Sequence, residues 1–265
     1  MATTKHRKPL MRGLVVATAY WLASLAGTQA NITEAQATNA RIAVPFVGCA
    51  SDGQLGPLAA PKRESRALPI SAKDAQRLAY YQAEEGPGVL APRGWHCFST
   101  YGTDGSNLFV SPDPIDPKAL FSADWKGFTG QAVQISVASG GTSGRFQVAK
   151  LIARVFPAYK SFALDVIAER IEPASDFPFG PYSKDKLRYR GKNVVEFETF
   201  AGSEGLGTQS RLQKNPSPIE GVAIITGEDT DLIQLSARLS ENNRDLIAII
   251  VREVEKETNP LDGHQ

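Results

Sequence analysis

The sequence predicts an α+β protein in which mainly antiparallel strands are packed by helices. Short runs that alternate apolar and polar residues recur between turns, as at residues 187–190 and 194–200. Stretches with apolar residues at helical spacing stand between such runs, most clearly at residues 145–155. Three strands followed by a helix occur twice, over residues 94–156 and 194–256, which indicates two βββα halves.

Residues 1–30 are typical of a secretory signal peptide, which would not belong to the fold. Basic residues, among them Lys5 and Lys8, precede an apolar run over residues 14–26 and then small residues. That run is about thirteen residues long, against the roughly twenty that span a membrane, so a cleaved signal is favoured over an anchor. We expect cleavage after Ala30 and a periplasmic or secreted mature chain.

The charge balance argues against a nucleic-acid partner. Removing residues 1–30 takes away four of the 29 basic residues and none of the 28 acidic ones, which leaves a formal charge of −3. The sequence has no stripe of Lys and Arg interleaved with aromatic residues, the footprint of a protein that binds phosphate backbones. The expected partner is an envelope protein, a cell-wall component or a small molecule, with no membrane span after cleavage and no cofactor.

Residues 31–70 are rich in Pro, Gly and Ala and are predicted to form an extended arm and loop. Residues 71–258 would form the globular domain, whose two halves are residues 71–172 and 185–258. Residues 259–265 would be a polar tail.

Local patterns predict the elements of the domain in order. Ser71 to Asp74 resemble a capping box, and helical spacing continues until Gly86. An Asp104-Gly105 turn predicts a hairpin. The flanking strands are predicted at residues 95–101 and 107–111, further strands at 131–137, 219–226 and 232–239, and helices at 145–155, 158–170 and 242–255.

The pattern around residues 191–193 predicts a second hairpin and its register. A three-residue loop there pairs Arg188 with Glu196 and position 187 with 197. Glu196 and Glu198 then face solvent beside basic residues, while Tyr189 and Phe197 point to the core. An ion-paired surface is therefore favoured over a catalytic carboxylate pair.

Cys49 and Cys97 are the only cysteines, and export would deliver them to an oxidising compartment. We expect one structural disulfide between them. A redox couple or metal site is disfavoured because no C-x-x-C spacing is present and two cysteines supply too few ligands. Cys49 follows Gly48 as in a lipidation box, but it lies too far from the apolar run of the signal.

Histidine chemistry depends on His96, since His264 is the other histidine of the mature chain and lies in the polar tail. No metal site is expected, because several histidines or an H-E-x-x-H motif would be needed. As an alternative function, a periplasmic hydrolase would use His96 as general base and Ser143 as nucleophile. Residue 145 is Arg, so the G-x-S-x-G motif fails, and a capping role for Ser143 is favoured.

Two glycine-rich segments follow strands. Residues 139–144 lead into a helix and could bind an anion on backbone N–H groups near Arg145. Residues 202–208 lack the lysine of a phosphate loop and are interpreted as a flexible loop or as a flap over a ligand site.

Residues 88–98 and Tyr101 form the densest cluster of unusual side chains. Arg93, Trp95, His96 and Tyr101 suit the recognition of a polar partner and equally a buried strand beside the disulfide. The absence of a complete catalytic constellation in the sequence favours a non-catalytic envelope binding or accessory module that uses these four residues.

Two motifs in the chain, at residues 44–54 and 88–97, read VPFVGC with SDGQ and GVLAPRGWHC. The sequence resembles a family of secreted bacterial proteins of unknown role that share them. The resemblance implies a shared disulfide, since both cysteines lie in these motifs, and it implies no activity. The back half is similar in strand order to a PsbP-like sandwich, which is a fold analogy only.

Overall fold

The computed structural model describes residues 41–180 and 184–258. The predicted signal peptide and the predicted polar tail lie outside these residues and stay predictions. The strands are β1 (Ile42–Gly48), β2 (Ser51–Gly53), β3 (Ser65–Leu68), β4 (Leu78–Gln82), β5 (Val89–Pro92), β6 (His96–Gly102), β7 (Gly105–Ser111), β8 (Ala132–Ala138), β9 (Asp185–Tyr189), β10 (Val194–Thr199), β11 (Ile219–Thr226) and β12 (Asp231–Arg238). The α-helices are α1 (Ala72–Arg77), α2 (Pro117–Leu120), α3 (Arg145–Val155), α4 (Lys160–Ala168) and α5 (Ile247–Thr258).

The larger sheet has the strand order β2-β6-β7-β8-β12-β11-β10-β9. Two three-strand meanders, β6-β7-β8 and β10-β11-β12, form its middle and are joined by antiparallel pairing of β8 with β12. These are the two predicted strand runs, so both predicted halves contribute to one sheet. The α+β fold class and its mainly antiparallel pairing are confirmed.

The helices that follow the two meanders cover opposite faces of this sheet. α3 and α4 pack on the face that carries Val195 and Ala223, whereas α5 packs on the face that carries Val222 and Ile224. Successive residues of a strand point to opposite faces, so the two helices bury alternate residues of the same strands. If a two-fold axis perpendicular to the sheet, between β8 and β12, related the two halves, both helices would lie on the same face. The βββα repetition is therefore one of strand order alone.

A smaller sheet with the order β3-β1-β4-β5 packs with α5 on the second of these faces. The expectation of an extended arm over residues 31–70 is wrong from residue 42 onward, because β1, β2 and β3 lie there. Val44 and Phe46 of β1 point into the core. Pro45, which lacks an N–H, stands where pairing with β3 ends and pairing with β4 begins.

The helix predicted to reach Gly86 ends at Arg77. Its N-cap is present, since Ser71 Oγ accepts a hydrogen bond from the backbone N–H of Asp74 at 3.1 Å and donates one to the Asp74 carboxylate at 2.6 Å. The next five residues, Leu78–Gln82, form β4, whose first four residues are buried. A short apolar run that is buried on both faces fits a helix or a strand equally well, which is why its spacing was misleading.

The predicted register of the β9-β10 hairpin is confirmed, with Arg188 opposite Glu196 and Leu187 opposite Phe197. Phe197 is buried as expected. Tyr189 lies on the core side of the sheet, opposite Val195, but it is 48 % exposed because β9 is the edge strand.

The predicted disulfide between Cys49 and Cys97 is present, with the two Cα atoms 5.4 Å apart. Cys49 directly follows β1 of the smaller sheet, and Cys97 lies in β6 of the larger sheet, so the bond joins the two sheets. With its sulfur in this bond, Cys49 is not free to carry a lipid. Within residues 41–180 and 184–258, no helix is long and apolar enough to cross a membrane.

Candidate functional site

Arg93 and Trp95 of the predicted binding region are held by the protein itself. Arg93 Nη2 donates a hydrogen bond to the carbonyl of Ala75 at 2.9 Å. The Trp95 side chain packs against the core, and its backbone N–H donates to Tyr81 Oη at 3.0 Å. These contacts position the loop before β6.

His96 and Tyr101 lie near opposite ends of β6, about 17 Å apart along the strand. They also point to opposite faces, because Tyr101 is five positions after His96, an odd offset. His96 is exposed, whereas Tyr101 is half-buried and its hydroxyl donates to the carbonyl of Gly56 at 2.6 Å. The structure therefore does not bring the four predicted binding residues together on one surface.

The structure also separates His96 from Ser143. His96 begins β6, and Gly102, where β6 ends, is about 20 Å away along the strand. Ser143 lies beside that far end, because its neighbour Gly144 is packed against the carbonyl of Asp104 in the β6-β7 turn. These two side chains are out of hydrogen-bond reach of each other.

Ser143 does not cap α3 as the sequence suggested. The residue at the N-cap is Gly144, and it makes no side-chain capping bond. Thr142 Oγ1 accepts a hydrogen bond from the Gly144 N–H at 3.3 Å. Arg145, the cation considered for an anion site here, is bound by the carboxylate of Glu169 at 2.6 Å.

A cavity of about 590 Å³ lies between α3, the middle of the larger sheet and residues 209–211. We call it the polar cleft, and its floor is formed by Asn107 of β7, Gln134 and Ser136 of β8, and Gln234 of β12. Gln134 and Gln234 are each only 4 % exposed. Polar side chains thus occupy the centre of a helix-covered sheet face, where apolar residues normally pack.

Hydrogen bonds between neighbouring strands hold this floor. Gln134 Nε2 donates to Asn107 Oδ1 at 3.1 Å, and Gln134 Oε1 accepts from the backbone N–H of Arg211 at 2.7 Å. Ser136 Oγ donates to the carbonyl of Gln234 at 3.3 Å. Buried amides need such partners to offset the loss of water, and here the partners also orient the amides.

The segment predicted as a flexible loop or flap is anchored beside the cleft. Leu206 is fully buried, and its carbonyl accepts a hydrogen bond from Gln234 Nε2 at 3.1 Å. Its N–H donates to the carboxylate of Asp185, and the Gly207 N–H donates to Thr199 Oγ1 at 2.8 Å. Burial raises the pKa of Asp185, although the hydrogen bonds from Thr199 and Leu206 oppose this rise.

Basic side chains form two walls of the cleft. Lys150 and Arg154 project from α3, and Lys150 Nζ lies 2.7 Å from Glu172 Oε2. Burial lowers the pKa of Arg154, and the charge of Asp185 opposes this change. On the facing wall, the guanidinium of Arg211 lies over the ring of Trp125, with its carbon 5.6 Å from the ring centroid.

A second cavity, of about 450 Å³, runs between α5 and strands β9 and β10. Glu196 binds Arg188 and Arg190 there, and Glu198 Oε1 lies 3.3 Å from Arg244 Nη2. Burial alone would raise the pKa of Glu196, but the two arginines lower it below the usual value. The predicted ion pairing of Glu196 is confirmed. Glu196 and Glu198 do not face open solvent as expected, because they line the groove beside α5, with side chains 16 % and 29 % exposed.

Metal ligation has no candidate in the part of the chain that the structure describes, since no cluster of three or more His, Cys, Asp or Glu side chains could hold an ion there. Comparison with known proteins gave no match: no family model matches the chain, and no curated protein or solved structure matches it significantly.

Sequence reasoning missed the polar cleft, although a signal for it exists. The triplets Gln134-Ile135-Ser136 and Gln234-Leu235-Ser236 repeat one pattern in β8 and β12. Their antiparallel register pairs each glutamine with the serine of the other strand. Two strands that each place Gln and Ser on one face and apolar residues on the other indicate a polar stripe across a sheet.

Proposed function

We propose that the protein is a non-catalytic binding module of the bacterial envelope, periplasmic or secreted, that holds a small polar ligand in the polar cleft. The observation that carries this proposal is the row of buried amides on the floor of a cavity of about 590 Å³. Its volume lies within the range of small-molecule sites, and its lining is more polar than that of most such sites.

Stability alone would favour apolar side chains on the floor of the polar cleft. Leucine at the positions of Gln134 and Gln234 would bury apolar surface without any polar group to satisfy. Residues at functional sites are often retained at the expense of stability. The oriented amides therefore support a recognition role.

The disulfide supports an extracytoplasmic location, because such bonds persist in oxidising compartments and are rare in the cytosol. Binding is favoured over hydrolysis because His96 begins β6, whereas Ser143 lies beside the other end of that strand. Accordingly, the proposal moves the ligand site from the region of Arg93 and Tyr101 to the polar cleft.

Ligand screening by NMR tests the proposal. The oxidised protein is titrated with neutral sugars, amino acids, uronic acids, sugar phosphates and soluble cell-wall fragments, and shifts of the Gln134 and Gln234 side-chain amides are followed. We expect at least one class to shift these signals. Gln134→Leu should abolish that binding while it changes the free energy of unfolding by about 1–2 kcal/mol.

The matched control is Gln82→Leu in β4, which makes the same replacement in the smaller sheet. It should leave binding unchanged. The proposal is overturned if no class shifts the cleft amides, or if Gln134→Leu and Gln82→Leu bind every ligand as the unaltered protein does.

A further inference from the structure

We infer that the polar cleft takes the anionic end of a small organic ligand, a carboxylate or a phosphate, between α3 and Arg211. This inference rests on the proposed function and adds the chemical class of the ligand. Three features of the cleft carry it: an amide donor on its floor, the placement of its cations, and its size.

The floor offers an amide donor at Asn107. Asn107 Oδ1 accepts from Gln134, and Gln134 Oε1 accepts from the N–H of Arg211. Among the described residues, Asn107 Nδ2 has no hydrogen-bond partner, so its N–H groups remain for a ligand. A ligand rich in acceptors, such as a carboxylate or a phosphate, matches this surface.

The cations stand on both sides of that floor. Lys150 and Arg154 are four residues apart on α3, and Arg211 faces them across the cleft. The acidic residues in the lining are Glu172, which binds Lys150, and Asp104, which is exposed at the rim. An anion between the walls would contact cations on both sides.

Arg211 is also preorganised. Its backbone N–H is bound by Gln134 at 2.7 Å, and its guanidinium rests on Trp125. A side chain that is positioned before binding loses less entropy when it contacts a ligand. A planar guanidinium in this position can bind a carboxylate or phosphate through two parallel hydrogen bonds.

The cavity suits a small molecule, since about 590 Å³ lies within the range of ligand pockets. Phe146 and Leu151 add apolar surface to its lining. The ligand would therefore combine a short organic body with an anionic group.

Calorimetric titration of the oxidised protein with glucose, glucuronate and glucose 6-phosphate tests the charge requirement and separates the two anions. Glucuronate or glucose 6-phosphate should bind roughly tenfold or more tightly than glucose, since charge-assisted hydrogen bonds are the stronger ones. The anion that binds more tightly identifies the carboxylate or the phosphate as the preferred group. Acetate and inorganic phosphate at millimolar concentrations should shift the Asn107 side-chain amide by NMR.

Lys150→Gln and Arg211→Gln should each weaken anion binding by roughly 10- to 100-fold and leave glucose binding within about twofold. Lys73→Gln is the matched control, because it removes the same charge from an exposed position on α1. It should leave all affinities unchanged.

Equal affinity for glucose and both anions, no response to acetate or phosphate, or equal loss of neutral and anionic binding in the two variants would each overturn the inference. The proposed function is judged by a different result, the response of the cleft amides in the wider ligand screen. If a neutral ligand from the wider screen shifts the Gln134 amide, the cleft is a binding site without the charge selectivity inferred for it.

Discussion

Reduction of the disulfide between Cys49 and Cys97 should lower the free energy of unfolding by roughly 4 kcal/mol and leave the fold intact. The bond closes a loop with a sequence separation of 48 residues. By the chain-entropy relation, opening a loop of this length restores enough freedom to the unfolded chain to cost roughly 4 kcal/mol at 25 °C.

The fold should survive reduction because the bond is not the only link between the two sheets. Val44 and Leu90 of the smaller sheet share one buried core with Leu108 and Ile135 of the larger sheet. A total stability of about 5–15 kcal/mol is ordinary for a domain, so a loss of roughly 4 kcal/mol leaves a weakened native state. At about 2–4 °C per kcal/mol, the midpoint of thermal unfolding should fall by about 10 °C.

Urea unfolding followed by circular dichroism, with and without reductant, measures the difference. The Cys49→Ala/Cys97→Ala variant is the control, since it should resemble the reduced protein and show no response to reductant. A change of less than about 1 kcal/mol on reduction would refute the reasoning, because it would mean that the cross-link hardly restricts the unfolded chain.

Two further predictions concern buried charges. Arg238 is 2 % exposed and donates to backbone carbonyls that include those of Phe128 and Gly130. Arg238→Met should therefore lower the free energy of unfolding, measured in urea, by about 3–5 kcal/mol. The control Arg252→Met changes an exposed arginine and should lower it by less than about 1 kcal/mol, and equal losses would contradict the prediction. Burial raises the pKa of Asp185, so its ionised form opposes folding above its unfolded pKa of about 3.9, and this cost disappears as the pH falls. Relative to the unaltered protein, Asp185→Asn should therefore become more stable from pH 3 to pH 7 in urea unfolding, and a difference that does not change with pH would contradict the prediction.

Elements with strong local patterns were predictable. The apolar stripe of residues 145–155 indicated α3 with the bounds that the structure has. The Asp104-Gly105 turn indicated the β6-β7 hairpin, and the alternation around residues 191–193 indicated the β9-β10 register. In each case the information lies within about a dozen neighbouring residues, through side-chain periodicity and turn chemistry.

The smaller sheet was not predictable in this way, because its partners are distant. β1 pairs with β4 more than thirty residues later in the sequence, and no local signal specifies that contact. The polar floor presents the same difficulty. Gln134 and Asn107 are separated by 27 residues, and Gln134 and Gln234 by a hundred, until the sheet brings them together.

The amino-acid sequence on its own determined the α+β class, most of the strands of the larger sheet, and the pairing of two cysteines that had no other partner. Tertiary structure alone decided which sheet face each helix covers and which polar residues meet. The physical reason is range: turns and amphipathic periodicity act between near neighbours, whereas the cleft is made by side chains that share a location only after the strands have paired.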